Sequence, residues 1–163
     1  VGGRFERGEI FLPQLINAAG AAQEAFEIIR AELAATGGPA VSKGKVLVAT
    51  VKGDIHDIGK NIVKTIVENY GYRVIDLGRD VPVETVVETA IREDVHLIGL
   101  SALMTTTLVS MDETIQALRR SGHPCKIWVG GAVLTPEYAK KMGADFYARD
   151  ARESVEICRE VLG

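Results

Sequence analysis

The chain reads Gly53-Asp54-Ile55-His56-Asp57-Ile58-Gly59 between an apolar run at residues 46–49 and an amphipathic run at residues 60–70. The first run is typical of a buried strand, and the second predicts a helix. His56 therefore lies on a strand-to-helix loop, with an acidic residue two positions before it and another directly after it. Because a carboxylate can hold an exposed imidazole in one tautomer, this pattern indicates a metal ligand.

Residues 43–163 alternate between short β-rich runs and amphipathic helical runs. We expect strands at residues 45–50, 72–77, 97–101, 126–129 and 145–147, and helices at residues 58–70, 83–93, 108–121, 136–142 and 151–162. This order predicts an α/β fold whose parallel sheet carries helices on both faces. Five strands favour the flavodoxin-like, or Rossmann-like, strand order 2-1-3-4-5.

Unusual residues follow four of the predicted strands. They are His56 after the first strand, Ser101 after the third, Gly130 and Gly131 after the fourth, and residues 147–150 after the fifth. Each alone has an ordinary explanation, such as a solvated histidine, a polar strand end or a tight turn. In a doubly wound sheet, however, ligands bind outside the carboxyl ends of the strands. All four loops therefore share the edge where a ligand site is expected.

Residues 1–35 predict two helices that belong to a larger helical bundle. Apolar residues recur at helical spacing over residues 12–33, and Pro13 suits the first turn of that helix. Two helices bury too little apolar surface to fold alone, so further helices are expected to complete the bundle. Residues 36–43 have the composition of a linker, which leaves residues 44–163 as the second domain.

Composition and charge narrow the function classes. The net charge is −3, so the chain shows no basic footprint for nucleic acid. No apolar run approaches the roughly 20 residues that span a bilayer, and no signal-peptide pattern starts the chain. Cys125 and Cys158 lack a CxxC spacing and are expected to be reduced packing thiols. These features predict a cytoplasmic protein without nucleic-acid or membrane partners.

Two phosphate-handling proteins of this fold class, a P-loop NTPase and a receiver domain, fit the sequence poorly. A P-loop requires four residues between its glycines, followed by Lys and then Ser or Thr. Here five residues separate Gly53 from Gly59, and Asn61 follows Lys60, so an NTPase is disfavoured. A receiver domain would carry its phosphoacceptor at the end of the third strand, where this chain has Ser101.

A composite motif runs through the predicted ligand edge. Asp54-x-His56-x-x-Gly59 is followed after 41 residues by Ser101-x-Leu103, and after 26 more by Gly130-Gly131. This spacing, within residues 44–162, resembles the signature of cobalamin-binding proteins. Residues 5–14, Phe-Glu-Arg-Gly-Glu-Ile-Phe-Leu-Pro-Gln, resemble the end of the helical cap of methionine synthases and of corrinoid proteins in methyltransferase systems. Residues 102–107, Ala-Leu-Met-Thr-Thr-Thr, also resemble the methyl-carrying corrinoid proteins.

The resemblance implies a role for each unusual residue. It implies a cobamide bound base-off, with His56 as lower axial ligand of the cobalt, Asp54 as acceptor from the other ring nitrogen, and Thr107 as the hydroxyl of the same relay. These three form the expected catalytic set. Further expected cofactor contacts are Asp57, Ile58, Gly59, Ser101, Leu103, Thr105, Gly130, Gly131, Tyr147 and Ala148, with Phe5 and Leu12 of the cap above the cobalt.

The function implied by the resemblance is that of a corrinoid-binding methyl carrier. Its expected partners are a methyl-donor methyltransferase and a methyl-acceptor methyltransferase, and a reductive activation protein is a further candidate. Because no donor or acceptor site is visible in 163 residues, a carrier subunit is expected rather than a complete enzyme. The alternative is the cobalamin-binding module of a methionine synthase.

Overall fold

The computed structural model describes residues 1–35 and 42–163. The strands are β1 (Lys45–Thr50), β2 (Arg73–Asp76), β3 (Leu97–Ser101), β4 (Lys126–Gly130) and β5 (Phe146–Tyr147). The helices are α1 (Gly2–Glu6), α2 (Leu12–Ala35), α3 (Ile58–Asn69), α4 (Val83–Arg92), α5 (Leu108–Arg120), α6 (Pro136–Lys141) and α7 (Ala151–Leu162), and Thr105–Thr107 forms a 3-10 turn before α5. The predicted strands and helices are all present, with ends that differ by at most two residues.

The sheet is parallel throughout and has the order β2-β1-β3-β4-β5. This confirms the predicted flavodoxin-like α/β fold. The central strands are buried along most of their length because helices cover both faces of the sheet. One core packs α4, α5 and α6 against residues such as Leu47, Ile98 and Val129. The other packs α3 and α7 against residues such as Val48 and Trp128.

Trp128 crosses from β4 onto β3, where it lies over Gly99, its register partner. A Cβ at Gly99 would stand 2.2 Å from the indole ring, so any side chain there would displace the tryptophan. Glycine inside a buried strand marks such a close approach. The pair brings a large aromatic surface to the same sheet face as α3 and α7.

Asp145 joins three elements near the start of β5. Its carboxylate accepts from the Arg119 guanidinium at 2.5 Å, the Lys126 ammonium at 3.0 Å and the Ile127 amide at 2.8 Å. Burial would raise the pKa of this carboxyl, but the three donors outweigh it and hold the pKa below its ordinary value of 3.8.

Asp145 is therefore expected to stabilise the protein in a pH-dependent way. A carboxyl with a depressed folded pKa contributes stability above its unfolded pKa, and that contribution is lost as pH falls through the folded pKa. The difference in melting temperature between wild type and Asp145→Asn should be constant near neutral pH and shrink below about pH 3.8. A difference that stays constant down to the acid-unfolding limit would contradict this role.

Helix α2 lies beside α3, and α1 contacts α2. Leu15 and Ile16 of α2 face Ile58, Ile62 and Ile66 across a cavity of about 200 Å³. Of the predicted linker, residues 36–41 lie outside the described part of the chain. Within the two described ranges, none of the helices combines the length and apolar character that crossing a bilayer requires.

Candidate functional site

A cavity of about 890 Å³ opens at the carboxyl edge of the sheet. It lies at the position where doubly wound folds bind ligands, beside the switch between β1 and β3. Ten of the residues expected at the site line this cavity: His56, Asp57, Ile58, Gly59, Ser101, Leu103, Gly130, Gly131, Tyr147 and Ala148. The structure thus brings together loops that are up to 92 residues apart, from His56 to Ala148.

Five expected residues lie elsewhere. Asp54 is buried within the His56 loop and contacts the imidazole, and the buried Thr107 donates to Asp54. Thr105 is exposed and does not line the cavity, and neither do Phe5 and Leu12. The latter two are more than a third exposed, and α2, which begins at Leu12, contacts α3.

His56 is held by the carboxylate of Asp54. The backbone amide of His56 donates to Asp54 Oδ1 at 2.9 Å, and its Nδ1 lies 2.8 Å from the same oxygen. Asp54 is fully buried, whereas the His56 side chain is 45% exposed. The loop therefore fixes one edge of the imidazole inside the protein and leaves the ring open to the cavity.

The other oxygen of Asp54 is equally well satisfied. Asp54 Oδ2 accepts from the Leu103 amide at 2.7 Å, the Met104 amide at 3.3 Å and the Thr107 hydroxyl at 2.9 Å. The Thr107 hydroxyl is also 2.8 Å from the Met104 carbonyl, so both of its neighbours are acceptors. Burial alone would raise the pKa of Asp54, but these donors together with His56 lower it to about 2.

The low pKa of Asp54 determines which nitrogen of His56 carries the proton. Near neutral pH the carboxylate is ionised and can only accept a hydrogen bond. Nδ1 of His56 must therefore be the donor, which leaves the lone pair of the neutral ring on Nε2. This is the carboxylate–imidazole arrangement that orients a histidine toward a metal and makes it a stronger ligand.

Gly59 and Gly131 lack a side chain for different structural reasons. An added Cβ at Gly59 would meet no protein atom within 4 Å, so the space beside it belongs to the cavity. Gly131 has φ +138°, and its Cβ would stand 1.9 Å from the carbonyl oxygen of Ala102. The absence of a side chain at Gly131 is thus required by the protein backbone itself, in addition to any ligand.

Several cavity residues were not predicted from the sequence. The indole of Trp128 forms part of the wall, and Gly99 leaves room for it. Lys60 also reaches the wall, with its ammonium buried and 2.6 Å from Asp76. The glycine inside the third predicted strand was a usable signal for the tryptophan. No signal in the sequence predicted the Lys60–Asp76 pair, because this pair depends on the packing of α3 beside β2.

The family model of the B12-binding domain matches residues 44–156. This chain belongs to the B12-binding domain family. The match includes all the motif residues from Asp54 to Ala148, and the predicted family and its cobamide cofactor, which contains cobalt, are confirmed.

Relatives that match nearly the whole of this B12-binding chain agree with the family match. Dimethylamine corrinoid protein 2 of Methanosarcina mazei is 44% identical over 165 residues, which cover 99% of this chain and 76% of the relative. A cobalamin-binding protein of Desulfitobacterium hafniense superposes with a TM-score of 0.82 at 37% identity, over 99% of this chain and 76% of its own. The methanol:cobalamin methyltransferase complex MtaBC of Methanosarcina barkeri superposes with a TM-score of 0.86 at 31% identity, over 98% of this chain and 60% of its own.

A more distant likeness extends to the fold alone. A signal receiver domain of Vibrio parahaemolyticus superposes with a TM-score of 0.53 at 14% identity, over 71% of this chain and 88% of its own. Receiver domains share the doubly wound sheet of this B12-binding chain. In this chain β3 ends at Ser101.

Proposed function

We propose that this protein is a methyl carrier that binds a cobamide base-off through His56 and presents it in turn to partner methyltransferases. The observation that carries the proposal is the buried, ionised Asp54, which holds Nδ1 of His56 and leaves the lone pair on Nε2 of a ring that lines the cavity. A histidine held in this way is suited to ligate cobalt from below. The corrinoid proteins and the methyltransferase complex to which the chain is similar support the same function.

The residues present fit a cobamide in size and chemistry. When bound, the cobamide supplies the cobalt centre on which a methyl group is carried. His56 would hold it, and the cavity of about 890 Å³ offers room for a displaced nucleotide tail. Gly59 leaves that space open, and the Trp128 ring provides an apolar wall.

Exposed apolar side chains surround His56. Ile55 is 60% exposed, Ile58 71% and Leu103 43%. Large apolar groups clustered on a surface mark a place where another molecule binds. We assign these three to contact with the flat face of the corrin ring, where they would also exclude water from the His56–cobalt bond.

The cap is assigned to the opposite face of the corrin. Ile58 lies on the walls of both cavities, so α2 already sits next to the corrinoid site. Phe5 and Leu12 would have to move from their exposed positions to cover the cobalt-bound methyl group. We propose that residues 1–35 move as a cap on the linker at residues 36–43, and that the cap opens when a partner binds.

The partners are proposed to be a methyl-donor and a methyl-acceptor methyltransferase, with a reductive activation protein to restore oxidised cobalt. The relatives named above are corrinoid proteins and a methanol:cobalamin methyltransferase complex. They favour a carrier over the alternative, the cobalamin-binding module of a methionine synthase.

The carrier function is tested by loading and alkylating the full chain. After reconstitution with hydroxocobalamin and reduction, treatment with radiolabelled methyl iodide should leave one label per bound corrinoid in the protein fraction. Because a cobalt–carbon bond is broken by visible light, illumination should release the label, whereas a methylated side chain would keep it. Label that elutes with small molecules in the dark would contradict the proposal.

Gly59→Leu is expected to abolish corrinoid binding without unfolding the protein. The leucine side chain would project into space that no protein atom occupies within 4 Å, but that the nucleotide tail needs. The melting temperature of the corrinoid-free variant should stay at or above that of wild type, because Gly59 lies in the first turn of α3. Retention of stoichiometric cobalamin after gel filtration would show that the tail lies elsewhere.

Asp54→Asn is expected to weaken the axial bond of His56, because an amide can donate where the carboxylate only accepts. Loss of such an outer partner commonly costs about 10–100-fold in metal affinity or activity. Asp54→Asn should also shift the reduction potential of the bound cobalt. Thr107→Val should shift that potential in the same direction but by less, since the two backbone amides still donate to Asp54. Thr114→Val is the matched control, because its buried hydroxyl bonds to Ser110 and not to Asp54. A cobalt reduction potential that is unchanged in both Asp54→Asn and Thr107→Val would contradict the relay.

A further inference from the structure

A second group of metal-binding side chains lies at the opposite edge of the sheet. Asp94 and His96 are in the loop between α4 and β3, and His123 is in the loop between α5 and β4. Because β3 and β4 are parallel neighbours, these two loops meet at the amino ends of the strands. The corrinoid cavity is at the carboxyl ends, so the two sites do not share a residue.

The two histidines are held by backbone carbonyls in defined tautomers. His96 Nδ1 is 2.7 Å from the Pro124 carbonyl oxygen, and His123 Nε2 is 2.9 Å from the Val95 carbonyl oxygen. A carbonyl oxygen only accepts, so these two nitrogens carry the protons. In the neutral rings the lone pairs are then on His96 Nε2 and His123 Nδ1. A backbone carbonyl opposite the ligating nitrogen is a usual partner of metal-binding histidine.

The donor atoms of the three side chains converge. One ligand atom from each of Asp94, His96 and His123 lies within 4.8 Å of the others. His96 Nε2 is 3.4 Å from Asp94 Oδ1, and the two imidazole rings are stacked with centroids 5.4 Å apart. Zn²⁺ binds nitrogen and oxygen at about 2.0–2.2 Å. Asp94 and His96 are exposed, and their side chains would have to rotate to bring the three donors to that distance.

We propose that Asp94, His96 and His123 form a binding site for a divalent transition-metal ion of the zinc class. Two imidazoles and one carboxylate are ligands that Zn²⁺ accepts, and water would complete the tetrahedron. The bound ion would tie the α4–β3 loop to the α5–β4 loop. The site is independent of the corrinoid, because its ligands are at the other end of the strands.

The test is calorimetric titration of the corrinoid-free full chain with Zn²⁺. Wild type should bind one equivalent, His96→Ala/His123→Ala should lose it, and His56→Ala should keep it, which separates this site from the corrinoid ligand. Co²⁺ in place of Zn²⁺ should give the visible absorption of a tetrahedral site in wild type and not in the double variant. A bound ion should also raise the melting temperature with Zn²⁺ concentration.

A single substitution, Asp94→Asn, tests the site even if the double variant does not fold. Asp94 has φ +51°, a conformation that asparagine also adopts readily, so Asp94→Asn should fold and bind Zn²⁺ more weakly than wild type. The proposal is overturned if wild type binds Zn²⁺ no more tightly than a folded double variant, or if His56→Ala removes the binding. Equal affinities of wild type and Asp94→Asn would overturn the assigned ligand set.

Discussion

His56→Ala should bind cobalamin without a protein nitrogen on the cobalt. The variant should fold, because Asp54 loses only one ring donor and keeps the backbone amides and the Thr107 hydroxyl that also reach it. Loss of the ligand itself should cost at least the roughly 10–100-fold in affinity or activity that follows loss of an outer partner. The nucleotide-tail cavity contributes separately, so some corrinoid should still bind.

The measurement is a cobalamin titration of His56→Ala together with a redox titration of the bound cobalt. His96→Ala serves as the matched control, since it removes an imidazole from the opposite edge of the sheet. Affinity and potential should change in the first variant and stay at the wild-type value in the second. Wild-type affinity and potential in His56→Ala would show that another group ligates the cobalt.

Gly131→Ala should be strongly destabilising even without corrinoid. Its φ of +138° is rarely adopted by residues with a side chain, and the new Cβ would stand 1.9 Å from a backbone oxygen that cannot swing away. The backbone strain costs about 1–3 kcal/mol and the overpacking about as much again, so the free energy of unfolding should fall by about 2–6 kcal/mol. Corrinoid binding should fall with it, because Gly131 lines the cavity.

Chemical denaturation of the corrinoid-free variant measures this loss. Gly59→Ala is the matched control: it also adds one methyl group at the cavity wall, but in open space and inside a helix. There alanine should stabilise the protein by about 0.5–1 kcal/mol. A Gly131→Ala protein as stable as wild type would mean that the Ala102 loop adjusts freely, and that this edge of the cavity is not rigid.

The fold was predictable because its information is local. The central strands are short, mostly apolar runs, and the helices packed on the sheet have apolar stripes of their own, so element type and order follow from neighbouring residues. The strand order then follows from the topology rules of parallel sheets. Only the ends shifted: β2 begins at Arg73 and β4 extends to Gly130.

The site was predictable to the extent that its residues are close in sequence or belong to the cobalamin motif. Asp54 and His56 are two residues apart, so their hydrogen bond is almost a property of the loop. Trp128 over Gly99 and His123 beside His96 depend instead on the register of β3 against β4. The glycine in β3 signals a close approach, but no local pattern says which residue makes it. Phe5 and Leu12 belong to the cap, whose position over the cavity remains a prediction.

The central claim is that His56 ligates the cobalt of a base-off cobamide, and electron paramagnetic resonance of the reduced, paramagnetic cobalt tests it most directly. The protein should be prepared twice, once unlabelled and once with histidine carrying nitrogen-15, and loaded with unlabelled cobalamin. The account predicts that the nitrogen coupling on the cobalt lines changes from triplets to doublets on labelling, and that His96→Ala shows the same change. Triplets that persist in the labelled protein would mean that the ligand is the cobamide's own base, and would contradict the account.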